Sequence, residues 1–342
     1  MKEIQLHTSE ESLWIVIDKN VYDVTRYGDH PGGKRILITN AGKDATSQFM
    51  AIHSEYVLEM LKQFHIGQVI EDLTAMEAPQ GETMNRTSST RNTIPFVLQD
   101  KIRLSHNSYR LVMKSAGINS QSFPLPVGKH VLFHFKNGDQ VFTRPYTPIV
   151  YNSETGDMEV VIKTYPIVEG RISSSPFIES AKVGDFFKIE GPKGRITYSR
   201  PGILSYDDME LKVRRLVFLC GGTGIAPVYR VIVSVLNNDI DATEIELLYS
   251  NHSEEDILLR NDLDALMHGS NGRLKIHYIL TSPPESGWNH PVGRISDVMV
   301  NTYVAAPDVE TLALLCGPHG FEESCVSALL ANGYDAERVF RF

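Results

Sequence analysis

The chain is short of several things that would direct a reading elsewhere. It holds 3 cysteines, Cys220, Cys316 and Cys325, in 342 residues. That is too few, and too irregularly spaced, for a disulfide framework, and a reducing compartment is expected. Basic residues do not predominate: Lys+Arg is 33 against Asp+Glu 42, a net charge of −9. The basic footprint of general nucleic-acid binding is therefore missing. Long apolar runs are missing too. The most apolar stretch, residues 216–236, is broken by Gly221-Gly222-Thr223-Gly224 and carries Arg230. It reads as a buried strand followed by a helix, not as a membrane span. Residues 1–12 are polar and lack the apolar core of a signal peptide. Neither terminus carries a lipidation signal. A soluble, cytosolic protein is expected, with no intrinsic membrane span.

What is there is ordinary in bulk and ordered in pattern. Hydrophobic residues make up 42% and charged residues 22%, the composition of globular domains. The length calls for two or three of them, and periodicity divides the chain into three patterned regions and a linker. Residues 1–70 mix short apolar runs with helical spacings. Residues 71–93 are rich in Glu, Thr, Ser, Asn and Pro and lose the apolar rhythm. A flexible segment of that length spans roughly 25 Å. Residues 94–205 alternate as strands, expected at 97–104, 109–113, 130–135, 141–146 and 158–165, separated by turn signals such as Asn137-Gly138-Asp139. Short strands so spaced predict a small antiparallel β-barrel. Residues 206–342 change to strand, loop, helix, with strands at 216–220, 244–249, 274–280 and 312–316 and helices near 256–267 and 319–331. Val228, Val231, Ile232, Val235 and Leu236 share one helix face. That alternation predicts a parallel sheet covered on both sides. The fold class is thus multidomain, α+β followed by α/β.

Two histidines carry the first chemical signal. His30 opens the turn His30-Pro31-Gly32-Gly33, and His53 precedes Ser54. Ile36, Leu37 and Ala41 on one short helical pattern, and Ala45, Phe49 and Ile52 on another, form an apolar cleft with an imidazole on either wall. Two neutral imidazoles would fill both axial positions of a haem iron and leave it suited to moving single electrons. Leu13-Trp14-Ile15-Val16-Ile17, Val21-Tyr22-Asp23-Val24-Thr25, Gly42-Lys43-Asp44-Ala45-Thr46 and Ile66-Gly67 complete the pattern. Residues 13–70 resemble the cytochrome b5 family throughout. The resemblance implies one b-type haem, held non-covalently because Cys-x-x-Cys-His is absent, with His30 and His53 as ligands. Residues 49–54 most resemble the haem domain of assimilatory nitrate reductases. Lys34 and Arg35 depart from the acidic residues usual in microsomal relatives.

Arg144-Pro145-Tyr146-Thr147-Pro148 ends a barrel strand. It offers a guanidinium for phosphate, an aromatic ring and a hydroxyl, and it resembles the flavin motif of NADH–cytochrome b5 reductases. That resemblance implies that Arg144 binds the FAD pyrophosphate, that Tyr146 packs on the isoalloxazine and that Thr147 lies near its N5. Ile162-Lys163-Thr164-Tyr165 matches the second flavin-contacting strand, with Lys163 reaching NADH. Gly170-Arg171-Ile172-Ser173-Ser174-Ser175 fits the third segment, a helix start suited to an anion, and is about two residues longer than in close relatives. Ser173 is chosen over Ser174 and Ser175, together with Gly170 and Ile172.

Gly221-Gly222-Thr223-Gly224 lies between a buried strand and a helix, where glycines admit a pyrophosphate to the backbone. It is not a GxGxxG fingerprint; it resembles the nucleotide loop of the ferredoxin-reductase-like superfamily. That implies NAD at Gly221, Gly222 and Gly224, and FAD contact by Thr223. Cys316-Gly317-Pro318 ends a later strand, and the family places Cys316 beside the nicotinamide C4. Phe342 matches the terminal aromatic that covers the flavin. Glu254, Glu255 and Asp256 oppose a 2′-phosphate and favour NADH over NADPH. The reading is a fusion of a cytochrome b5 domain to a cytochrome b5 reductase: hydride from NADH to FAD, single electrons to haem b, then to an external acceptor. Thr147, Lys163 and Cys316 are its expected catalytic residues. The electron-input part of a nitrate reductase, and a haem- or sterol-binding adaptor without catalysis, are the rivals.

Overall fold

The computed structural model describes residues 3–27, 30, 34–46, 49, 57, 61–69, 93–116, 124–137, 140–166, 168, 172–207 and 209–342. His53, Gly170, most of the HPGG turn and the bulk of the expected linker lie outside them. The chain divides into two compact units, Met1–Ser89 and Thr90–Phe342.

In the first unit, β1 (Thr8–Ser9), β2 (Ser12–Ile17), β3 (Asn20–Asp23) and β4 (His65–Gln68) form an antiparallel sheet in that order. Asp18 and Lys19 take φ of 49° and 64° between β2 and β3, the left-handed pair that a two-residue hairpin needs to match strand twist. Alternation along β2 sends Leu13, Ile15 and Ile17 into a core with Leu37, Ala41, Phe49 and Leu61. Val16 faces the opposite side with Ile4 and Val21. Leu37 lies on α1 (Lys34–Asn40), the first of the expected helical patterns.

The second unit opens with β5 (Thr93–Arg103), β6 (Ser108–Ser115), β7 (His130–Asn137), β8 (Gln140–Tyr146), β9 (Pro148–Tyr151), β10 (Met158–Lys163) and, after α2 (Ser175–Ser180), β11 (Phe186–Lys193). They make one curled antiparallel sheet in the order β8-β7-β11-β5-β6-β10-β9. Its two edge strands are consecutive in the chain, so the sheet's edges are joined through Thr147. β5 starts earlier than periodicity predicts. Pro95 lacks an N–H but sits near the strand's start, and its carbonyl accepts the Ala116 amide at 2.9 Å. β12 (Ile196–Arg200), β13 (Ile203–Tyr206) and β14 (Met209–Lys212) form a small antiparallel sheet, so the expected division at 205/206 falls inside β13.

β15 (Arg215–Gly221), β16 (Glu244–Asn251), β17 (Leu274–Leu280), β18 (Thr311–Cys316) and β19 (Val339–Arg341) form a wholly parallel sheet in the order β17-β16-β15-β18-β19. Leu216, Phe218 and Cys220 point to one face, packed with α3 (Ile225–Leu236) through Val228, Val231, Ile232 and Val235. Val217 and Leu219 point to the other, against residues of α5 (Asp297–Tyr303) and α6 (His319–Ala331). The first face also takes in Ile149 and Val161 of the curled sheet, so the two sheets share one core. The helix expected at 256–267 is instead α4, Arg260–Gly269. A capping box between Ser253 and Asp256 closes a single 3₁₀ turn, and Leu259, at φ 59°, interrupts the chain before α4 begins. Among the described residues no helix is long and apolar enough to cross a membrane.

Candidate functional site

Three constellations carry the chemistry. In the first unit His30 is half-buried and meets the Tyr27 ring edge-on at 6.2 Å. Tyr27 in turn meets Phe64 at 5.5 Å, beside buried Leu37, Phe49 and Leu61. Apolar side chains around one imidazole fit the wall of a haem pocket; the wall that would carry His53 lies outside the described residues. Lys34, exposed, pairs with Glu10 at 3.3 Å.

The second constellation gathers where β8 leaves the sheet. Arg144 donates from Nη2 to the Ile172 carbonyl at 2.7 Å and from Nη1 to the Thr143 carbonyl at 2.9 Å. Tyr146 packs edge-on against Phe133, and its hydroxyl bonds Ser174 Oγ at 2.9 Å. Burial raises the Tyr146 phenol, only partly opposed by Ser174 and Arg144, so it stays neutral. The Ser175 hydroxyl accepts the Tyr165 amide at 2.8 Å, while Ser173 Oγ accepts the Ser175 amide at 3.1 Å. The structure thus assembles Arg144, Tyr146, Tyr165 and residues 172–175, and gives the three serines distinct tasks. Ser173 serves its own helix start, and the cross-element contacts belong to Ser174 and Ser175, which the sequence reading passed over. Pro145 is exposed and Thr147 half-buried. Ile162 is 1% exposed and packs in the sheet core with Leu98 and Leu111. Its side chain is enclosed in that core.

Two features fit this corner to a flavin nucleotide. Tyr165 and Ile172 remain 56% and 37% exposed, apolar surface that a planar ring system would cover. A cavity of about 480 Å³ opens beside Tyr165, lined also by His106, Asn107, Thr164 and Glu179. One positioning residue carried no motif. Lys101 Nζ donates to the carbonyls of Ile178, Glu179 and Ala181 at 2.7, 2.7 and 3.2 Å, pinning the end of α2 and matching its dipole.

The third constellation lies outside the carboxyl ends of β15 and β18, where open parallel sheets bind ligands. Gly222 takes φ +54° with open space where a Cβ would be, whereas a Cβ on Gly224 would meet the Cys316 carbonyl oxygen at 2.1 Å. The glycine loop is therefore seated directly on the Cys316-Gly317-Pro318 turn. Phe321 packs over both pieces: a Cβ on Gly317 would meet its ring at 2.5 Å and one on Gly221 at 3.6 Å. Fully buried Tyr249 donates its hydroxyl to the Gly222 carbonyl at 3.0 Å and accepts the Leu258 amide at 3.2 Å. It fixes the loop from beneath, and no motif announced it. β10 runs against the Gly222–Gly224 turn, so the glycine loop borders the curled sheet. An open cradle of this kind at a helix start fits a pyrophosphate. Burial pushes the Cys316 thiol up to about 12, so it is an uncharged group at neutral pH. Phe342 stacks near Phe218 at 6.5 Å.

The acidic turn differs from its expected reading. Asp256 is 5% exposed and accepts Lys163 Nζ at 2.6 Å, a link between the curled and parallel sheets. Burial alone would raise the Asp256 carboxyl; the Lys163 ammonium and Ser253 hydroxyl outweigh it and hold it below the usual range. Glu254 is engaged by Arg260, whose guanidinium also lies over the Tyr278 and Trp288 rings. Of the three carboxylates, Glu255 is the exposed one without such an ion pair. The electrostatic argument against a 2′-phosphate therefore rests on fewer open charges than the sequence implied, together with an Arg260 already engaged.

Comparison with known proteins agrees with this geometry. Residues 1–70 match the cytochrome b5-like heme/steroid binding domain, residues 95–198 the oxidoreductase FAD-binding domain and residues 218–327 the oxidoreductase NAD-binding domain. Nitrate reductase [NADH] 2 of Nicotiana tabacum is 32% identical over 98% of this chain and 40% of its own length. Nitrate reductase [NAD(P)H] of Hordeum vulgare is 34% identical over 99% of this chain and 41% of its own. The chain thus spans about two-fifths of these relatives. The crystal structure of the cytochrome b5 reductase domain of Ulva prolifera nitrate reductase superposes with a TM-score of 0.68 at 32% identity, covering 73% of this chain and 97% of that one.

Proposed function

Because this chain belongs to the family of the cytochrome b5 reductase domain of nitrate reductase, with a cytochrome b5-like domain ahead of it, we propose that it carries electrons from NADH through FAD and haem b to an external acceptor. A bound FAD would supply the chemistry that links the two-electron donor NADH to a one-electron haem. The protein's part is to bind and orient. Arg144 and residues 172–175 hold the flavin's phosphates, with Gly170 and Ile172 on that segment. Tyr146, Thr147 and Tyr165, flanked by Pro145 and the Ile162 backbone, set its ring. Gly221, Gly222 and Gly224 receive the NADH pyrophosphate, while Thr223 faces the flavin. Cys316, Gly317 and Pro318 form the floor under the nicotinamide. Lys163 orients the dinucleotide through Asp256. His30 and His53 ligate the haem iron. The observation that carries this reading is the seating of Gly224 on the Cys316 carbonyl, which joins the glycine loop to the thiol turn at the carboxyl ends of β15 and β18.

Anaerobic addition of NADH tests it. Flavin absorbance should bleach and ferrous haem bands should follow; a protein whose haem stays oxidised would be an adaptor. The alignment of nearly the whole chain to nitrate reductases favours a second reading, as the electron-input part of a nitrate-reducing system. NADH-dependent nitrite formation with a supplied nitrate-reducing partner would support that reading.

The domain limits proposed are 1–70 for the haem domain, 71–93 for a linker, and 94–205 and 206–342 for the flavin and nucleotide modules. The last two should act together. A piece from Thr90 to Phe342, which keeps Thr93 paired with Glu190, is expected to bind FAD and reduce ferricyanide with NADH, measured by absorbance at saturating substrate. A well-folded piece without turnover would show that the reductase site needs the haem domain.

NADH is expected to exceed NADPH at least tenfold in kcat/KM, about 1.4 kcal/mol of discrimination. Glu255→Lys should narrow that ratio, because it places a cation where the wild type presents its one open carboxylate. Equal efficiencies in the wild type would remove the electrostatic argument.

A further inference from the structure

Glu322, on the first turns of α6, belongs to no motif. Its side chain is 14% exposed and reaches two separate pieces of the crevice. Oε1 accepts the Gly317 amide at 3.2 Å, and Oε2 lies 3.7 Å from Arg341 Nε. Gly317 follows Cys316 at the carboxyl end of β18, and Arg341 ends β19 just before Phe342, whose amide bonds the Leu315 carbonyl at 3.0 Å. One carboxylate thus spans the thiol turn and the terminal strand.

We propose that Glu322 is a positioning residue for hydride transfer: its ionised carboxylate clamps the Cys316–Gly317 turn to the Arg341–Phe342 terminus and so sets the floor on which the nicotinamide rests. This rests on the reading of that crevice given above. Two roles are separable. Accepting the Gly317 amide needs only an acceptor oxygen, whereas holding Arg341 needs the charge. Burial raises the Glu322 carboxyl, partly opposed by the Gly317 amide, Arg341 and His319. Protonation therefore releases the Arg341 half of the clamp above the ordinary carboxylate range, and the function served is present above that point and lost as pH falls through it. Among the described residues the other ionisable groups facing Glu322 are the Cys316 and Cys325 thiols, held neutral by burial, which raises both to about 12. His319, on the same helix, is itself paired with Glu323 at 3.2 Å.

The test uses the full-length holoprotein, with FAD and haem bound, and follows NADH–ferricyanide turnover against pH. The wild type should show an acid limb in kcat. Glu322→Gln keeps an acceptor for Gly317 and removes the charge; it should flatten that limb, lower the plateau kcat about tenfold and enlarge the isotope effect with NADH deuterated at C4, at unchanged FAD content. Arg341→Gln removes the group that the charge holds and should likewise flatten the limb and lower the plateau, at unchanged FAD content. His319→Gln, which removes the neighbouring imidazole, should keep the limb. Should Glu322→Gln fail to fold, Arg341→Gln decides, and a limb and plateau like those of the wild type overturn the clamp. A Glu322→Gln profile superimposable on an active wild type overturns the clamp alone. A wild type whose flavin NADH does not reduce overturns the crevice reading with it.

Discussion

Alanine at Gly224 is expected to lower kcat/KM for NADH about a hundredfold, roughly 2.7 kcal/mol in transition-state binding, while FAD stays bound. The added Cβ would lie 2.1 Å from the Cys316 carbonyl oxygen and 2.6 Å from its carbonyl carbon. Backbone on both sides leaves no flexible side chain to yield, so either the loop lifts or the thiol turn moves. Overpacking of this kind costs on the order of 1–3 kcal/mol in stability by itself. The loss is expressed in function because the amides that would bind the pyrophosphate are displaced together with the floor under the nicotinamide. Gly222→Ala is the informative control. Its Cβ would meet open space, but at φ +54°, so it should show backbone strain without the Cys316 clash. Steady-state kinetics with flavin content measured in parallel checks both. If Gly224→Ala retains wild-type KM and kcat, the loop is not a pyrophosphate cradle.

Replacing His30 or His53 with alanine is expected to remove haem or leave an open coordination site, and to abolish NADH-driven haem reduction. Ferricyanide reduction by the flavin should persist. An iron with two imidazole ligands is low-spin and saturated; losing one ligand breaks that state whatever the rest of the pocket does. His30 meets the ring of Tyr27, which packs with Leu37, Phe49 and Leu61, an apolar setting that fits a haem ligand. Visible spectra of the two single variants decide the matter. An unaltered low-spin spectrum in both would place the ligands elsewhere.

Much of the fold was legible because burial writes itself into periodicity. Alternating Leu13, Ile15 and Ile17, the doubly apolar run 216–220 and the single face Val228, Val231, Ile232 and Val235 all pack as their spacing requires. Strands such as β12, β13 and β14 are short and half-exposed, so they carry little periodic signal and went unplaced. The helix expected from near 256 begins only at Arg260, because the Ser253–Asp256 capping box closes a single 3₁₀ turn ahead of it.

The sequence by itself, through motifs that resemble known families, determined the order of the three cofactor modules and located the glycine loop and the Arg144–Tyr146 segment, since each needs a particular side chain or a missing Cβ at a particular place in a local element. Tertiary structure alone decided which partners those groups meet. Asp256 became a buried partner of Lys163 instead of an open charge, Ser174 and Ser175 met Tyr146 and the Tyr165 amide, and Tyr249 came to support Gly222 from below. Each is a hydrogen bond or ion pair between residues distant in the chain or on different elements. Such pairings depend on how packed sheets bring side chains within about 3 Å of each other, and no local pattern encodes that.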